Sequence, residues 1–166
     1  SPTRGVWGGG YLNASPLNSA IVSTIDFVTI SSLGNAVKFG DLTKKRGAIS
    51  GSSSPVRGLY AGGNDWSPGS GSVVNTIDYI TIASEGNATD FGTLTIGRAF
   101  GSATSTPTRA VFAAGRFNSH PVSDLNNIMD FISMQSGGSA LNFGDLQEPK
   151  KEVGMTSDSH GGLGGF

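Results

Sequence analysis

Cysteine is absent from all 166 residues, which removes disulfides, thiolate metal sites and cysteine nucleophiles together and leaves the redox compartment open. Charge is also scarce. Charged residues make up 14% of the chain, the formal net charge is −1 and there is no basic run, so nothing forms an electrostatic track for nucleic acid or anionic lipid. No apolar stretch is long enough to span a bilayer, and residues 1–20 lack the basic and apolar regions of a secretory leader. Neither nucleic acid nor membrane insertion is therefore expected. The two histidines, His120 and His160, stand far apart without ligand spacing, so no metal or cofactor is expected. Glycine-rich runs occur, but none carries the Gly-Lys-Ser/Thr tail or following helix of a phosphate loop. No serine sits in a nucleophile elbow with His and Asp partners, and the expectation is a protein that is not an enzyme.

What the chain has in abundance is glycine, at 26 residues, and a long internal repeat. Residues 76–95 read Thr-Ile-Asp-Tyr-Ile-Thr-Ile-Ala-Ser-Glu-Gly-Asn-Ala-Thr-Asp-Phe-Gly-Thr-Leu-Thr. An earlier copy starts at Thr24 and a worn later one at Ile128. Asp26, Asp78 and Asp130 are 52 residues apart, as are Phe39, Phe91 and Phe143, and Arg4, Arg57 and Arg109 keep step upstream. A period near fifty marks a tandem array of one supersecondary unit. The units fall at about 1–53, 54–105 and 106–158, with the start of a fourth at 159–166, and all of 1–166 forms a single array. The chain opens inside a repeat on Ser1-Pro-Thr-Arg without an initiator Met, and reads as a piece of a longer polypeptide.

Each unit predicts strands and no helix. Arg4-Gly-Val-Trp-Gly-Gly-Gly, Arg57-Gly-Leu-Tyr-Ala-Gly-Gly and Arg109-Ala-Val-Phe-Ala-Ala-Gly are short apolar runs whose glycines would each cost a helix about 1 kcal/mol relative to Ala. The runs starting at Ile25, Ile77 and Met129 alternate with period two and are rich in β-branched and aromatic residues, and the first two are followed by Gly-Asn turns. A returning strand carries Phe39, Phe91 or Phe143, each expected in the core. A small-residue strand near Gly47, Ala99 or Glu152 ends the unit and leads to the next, which makes four strands per repeat.

Four antiparallel strands in about fifty residues with Gly9-Gly10 and Gly62-Gly63 closing one strand resemble the kelch repeat, the blade of a β-propeller. The resemblance covers the whole chain and implies an all-β propeller of kelch-type four-stranded blades, about three of them here, within a larger or oligomeric ring. Arg46, Arg98 and Lys150 would stand just before an innermost strand. The third unit departs from the pattern with Ala114-Gly115, and Phe replaces the tryptophan usual in the fourth strand. More narrowly, residues 75–95 look like the kelch-like arrays in structural proteins of tailed phages, especially those infecting marine cyanobacteria. That likeness implies a virion protein, a tail fibre or similar extracellular appendage, whose partners are other virion proteins and further copies or flanking repeats of itself. The alternative is a cellular kelch-type scaffold for protein–protein interaction.

Repetition decides between structural and chemical roles. A catalytic constellation brings different groups to one place, whereas Arg4, Arg57 and Arg109 and Asp26, Asp78 and Asp130 recur once per unit, as hydrogen-bonded pairs or strand-end anchors do. The segments 11–23, 64–74 and 116–126 differ in every unit and are rich in Asn, Ser, Pro and Gly, so they read as loops. In a propeller these loops open on one face, which would gather Tyr11, Asn13, Asp65, Trp66, Phe117, Asn118 and His120. Aromatic rings beside Asn and Asp suit a host-surface glycan or a receptor protein. The formal acceptors Asn13-Ala-Ser and Asn87-Ala-Thr are read as coincidence, the second being part of the repeated turn.

Overall fold

The computed structural model describes residues 3–12, 21–65, 73–117 and 124–157. Alternating apolar residues form eleven strands, and no helix occurs among the described residues. The first sheet contains β1 (Arg4–Gly8), β2 (Thr24–Thr29) and β3 (Val37–Asp41). The second contains β4 (Ser50–Ser53), β5 (Arg57–Ala61), β6 (Thr76–Thr81) and β7 (Thr89–Thr93). The third contains β8 (Ser102–Ser105), β9 (Arg109–Ala113), β10 (Ile128–Ser133) and β11 (Leu141–Asp145). Every sheet is an antiparallel meander in chain order, and none closes into a barrel.

The small-residue strand belongs to the unit after the one it ends. Ser50 pairs with Ala61 and Ser102 with Ala113, so β4 and β8 open the second and third sheets. A tight turn enforces this pairing: the Ser54 hydroxyl accepts from the Arg57 amide at 3.0 Å while the Ser54 amide donates to the Arg57 carbonyl at 2.8 Å. The first sheet thus has three strands, and the expected strand at 152–157 forms no ladder, because no described strand follows it to pair with.

A bulge recurs in each sheet. Ile77 faces Gly92 and Asp78 faces Asp90, leaving Phe91 as the extra residue, and Phe39 and Phe143 occupy the same place. Gly92 adopts φ +144°, and a Cβ there would strike the Gly138 carbonyl of the next sheet. Gly40 likewise faces the Gly86 carbonyl, so the glycines after Phe39 and Phe91 let neighbouring sheets approach closely.

Sheets pack face to face through these phenylalanines. Phe39 joins Ile25 and Phe27 of its own sheet to Tyr60, Ile80, Ile82 and Ala88 of the second. Phe91 likewise joins Leu59 and Ile77 to Ala110, Phe112, Ile132, Met134 and Ala140 of the third. Phe39 and Phe91 are 4% and 5% exposed, but Phe143 is 49% exposed, which corrects the expectation that all three lie in the core. The side chain needs a following sheet, and among the described residues none follows the third.

Two outcomes follow from this packing. Phe91→Ala should cost about 3–5 kcal/mol through lost transfer energy and a cavity, whereas in a single chain, diluted enough to be free of any partner, Phe143→Ala should cost about 0.5 kcal/mol, as for a surface change. Urea denaturation of both checks the contrast, and equal losses would contradict it. Burial between the first two sheets also pushes the Tyr60 phenol up to about 12. An unfolded tyrosine ionises near pH 10, so the stability tied to this shift is whole below about pH 10 and lost as pH rises to about 12, amounting to about 2–3 kcal/mol. Tyr60→Phe should flatten that alkaline decline in denaturation midpoints, and an unchanged slope would refute the shift.

Candidate functional site

The variable segments leave the sheets side by side. Antiparallel bridges Tyr11↔Ile21, Asn64↔Val73 and Arg116↔Leu125 close the three stems at equivalent positions. Each stem turns on a Gly pair or its substitute in left-handed backbone: Gly62 and Gly63 have φ +66° and +106°, and Ala114 takes φ +62° in place of the first glycine. Neighbouring stems are tied through Gly47↔Asn64 and Ala99↔Arg116, so the three stems lie together at one end of the stacked sheets.

Under each inter-unit step lies a buried ion pair. Arg46 Nη2 is 2.7 Å from Asp78 Oδ2, both side chains fully buried, while Nη1 donates to the Gly62 and Thr76 carbonyls at 2.9 and 2.8 Å. Thr43 completes the shell, its hydroxyl donating to Asp78 at 2.7 Å and its amide at 3.0 Å. The next unit repeats the arrangement with Arg98 2.8 Å from Asp130, and Thr95 donating to both carboxylate oxygens. Desolvation pulls the pKa of both guanidiniums below the ordinary arginine value, and the facing carboxylate opposes it. These groups hold a loop of one unit onto the sheet of the next.

The repeated Arg4, Arg57 and Arg109 are not the partners of these aspartates. Arg4 lies over the Phe27 ring and donates to the Ile82 carbonyl of the second sheet at 2.9 Å. Arg57 lies over Tyr79 and donates to Met134 and Gln135 of the third at 2.8 and 2.7 Å. Arg109 lies over Phe131 on the exposed face of the third sheet. Asp26 is half-buried in the first sheet.

Of the anticipated loop residues, Asn13, Trp66, Asn118 and His120 lie outside the described residues. Tyr11 is exposed, its ring against Gly47 and its hydroxyl accepting from Asn64 Nδ2 at 3.4 Å. Asp65 and Phe117 are half-buried at the second and third stems. Sequence reasoning passed over a cluster at the third stem, where Arg116 lies 4.7 Å from the Phe100 ring centroid and Lys151 Nζ 5.5 Å from it. Phe100 holds φ +59°, as Ala48 and Glu152 hold +53° and +56°, and each donates or accepts a backbone bond to its counterpart one unit away. The only sequence signal for this cluster was the 52-residue step linking Ala48, Phe100 and Glu152. Aromatic and cationic groups at this end can stack on a flat apolar face and donate hydrogen bonds around it.

No protein-family model matches the chain, and a search of curated proteins finds no relative for it.

Proposed function

We propose that the three sheets are consecutive kelch-like blades of a β-propeller, displayed on a phage tail fibre or similar virion appendage, and that the protein is not an enzyme but binds a host-surface glycan or receptor protein through its variable loops. The observation that carries the reading is the placement of the stems of three differing segments at one end of a frame whose inter-unit contacts repeat at 52 residues. The four-stranded meanders with the small-residue strand first, and the left-handed Gly62-Gly63 turn, support the propeller blade. The charged groups buried in the frame are spent on inter-unit contacts, the same in each step. The likeness of residues 75–95 to phage arrays supports the virion setting.

In the binding test, Trp66→Ala and Phe117→Ala should reduce adhesion to host cells or to a glycan array at least tenfold. Read as loop residues outside the packed core, both should leave thermal midpoints close to that of the parent chain, within about 1 kcal/mol. Unchanged binding after both substitutions would remove the loop face as the recognition surface.

A further inference from the structure

The two end sheets carry the two halves of the junction that the interior sheets make. In each interior junction the earlier sheet contributes a Phe-Gly bulge and an Arg on an aromatic ring, and the later one contributes an apolar pocket and a turn. The Phe39 and Asp41 carbonyls accept from the Gly86 and Ala88 amides at 2.9 and 2.8 Å, and the Phe91 and Thr93 carbonyls accept from Gly138 and Ala140 at 2.8 and 2.7 Å. One period onward, the third sheet presents Phe143, Gly144, Asp145 and Arg109 with no following sheet among the described residues. One period back, the first sheet presents Gly34, Ala36, Trp7 and Ile30. Trp7 and Ile30 are 59% and 61% exposed, whereas their counterparts Tyr60 and Ile82 are buried.

The strand count is complementary as well. Among the described residues β1 pairs only with β2, so its other edge lacks the small-residue strand that β5 and β9 have. Residues 153–157 occupy the place of such a strand but pair with no sheet among the described residues. Ser157 donates to the Ser105 carbonyl at 2.8 Å as Ser105 donates to Ser53 at 2.7 Å, and the Ser102 hydroxyl reaches the Val153 carbonyl. The stretches 51–53, 103–105 and 155–157 line one cavity of about 390 Å³. Carrying the pairs Ser52↔Leu59 and Thr104↔Val111 one step further sets Thr156 opposite Val6.

We infer that a second copy of this chain docks head to tail, its β1 taking residues 154–157 of the first copy as an edge strand and its Trp7, Ile30 and Ala36 receiving Phe143. Arg109 then reaches the Ile30 carbonyl of that copy, and Lys150, at the Arg46 and Arg98 position, faces its Asp26. The number of copies rests on the propeller reading and applies to the 166-residue chain by itself: propellers have about four to eight blades, and two copies of its three sheets give the one whole multiple in that range. Such an interface is heterologous, and a ring of two copies satisfies both ends at once.

The test uses the 166-residue chain, which has no native cysteine. Val6→Cys/Thr156→Cys treated with a short bifunctional thiol cross-linker should yield a covalent pair of chains, and either single variant should yield none. Sedimentation should give twice the chain mass for the parent. Phe143→Arg and Trp7→Arg, both at exposed sites, should each sediment as a monomer with unchanged circular dichroism, and their mixture should regain a one-to-one pair because one intact junction is restored. A parent that stays monomeric, or a cross-link formed within one chain, would overturn the docking while leaving the propeller reading in place. Open fibres or assemblies of three or more copies would overturn the two-copy ring and the propeller reading together.

Discussion

The buried pairing of an arginine with an aspartate of the next sheet is the constraint on which the stacked arrangement depends. Two ions removed from water are tolerable only when nearly every donor and lone pair is matched. Arg46 goes most of the way by bridging three parts of the second unit, Asp78, the Gly62 carbonyl in the turn and the Thr76 carbonyl at the start of β6, while its buried Nε is left without a hydrogen bond. The loop after β3 is thereby fixed against the following sheet, and with it the direction in which β4 begins. The same geometry at Arg98 fixes the start of β8. Hydrophobic burial by Phe39 and Phe91 supplies area between sheets, but the ion pair sets their register, since a one-residue slip would strand a charge in the core.

Backbone strain accumulates around this contact. Ala48, Phe100 and Glu152 all take positive φ, a conformation that costs a side-chain-bearing residue about 1 kcal/mol or more. Each supports a bond between equivalent residues of successive units, the Phe100 amide donating to Ala48 at 3.0 Å and the Glu152 amide to Phe100 at 2.9 Å. The strain is confined to the loop end of the molecule, where the variable segments emerge. A frame over-determined elsewhere by ladders and buried clusters can hold such an end in place while its loops vary.

Much of the architecture was legible because it repeats. The period placed Asp78 opposite Asp26 and Asp130 in the alignment, and the alternation of Ile77, Tyr79 and their counterparts marked the strands. What alignment alone did not give was which residue meets which across a unit boundary. Arg57 and Asp78 recur together, yet the partner of Asp78 is Arg46, 32 residues earlier in the preceding unit's loop. The Phe-Gly bulge was also invisible, since an extra residue in one strand leaves no mark on a period-two pattern until the ladder is seen. Phe143 was misplaced because burial belongs to the junction and not to the residue. Loop composition pointed to the segments whose stems hold Tyr11, Asp65 and Phe117, whereas the Arg116, Phe100 and Lys151 cluster depends on contacts between units.

The most direct measurement of the role given to the ion pair is a double-mutant cycle between Arg98 and Asp130 by equilibrium denaturation, using Arg98→Met and Asp130→Leu. Each single change should cost about 3–5 kcal/mol because it leaves a buried charge without its partner. The double variant should cost several kcal/mol less than the sum of the two. Small single losses that add without coupling would show that this contact does not hold the units together.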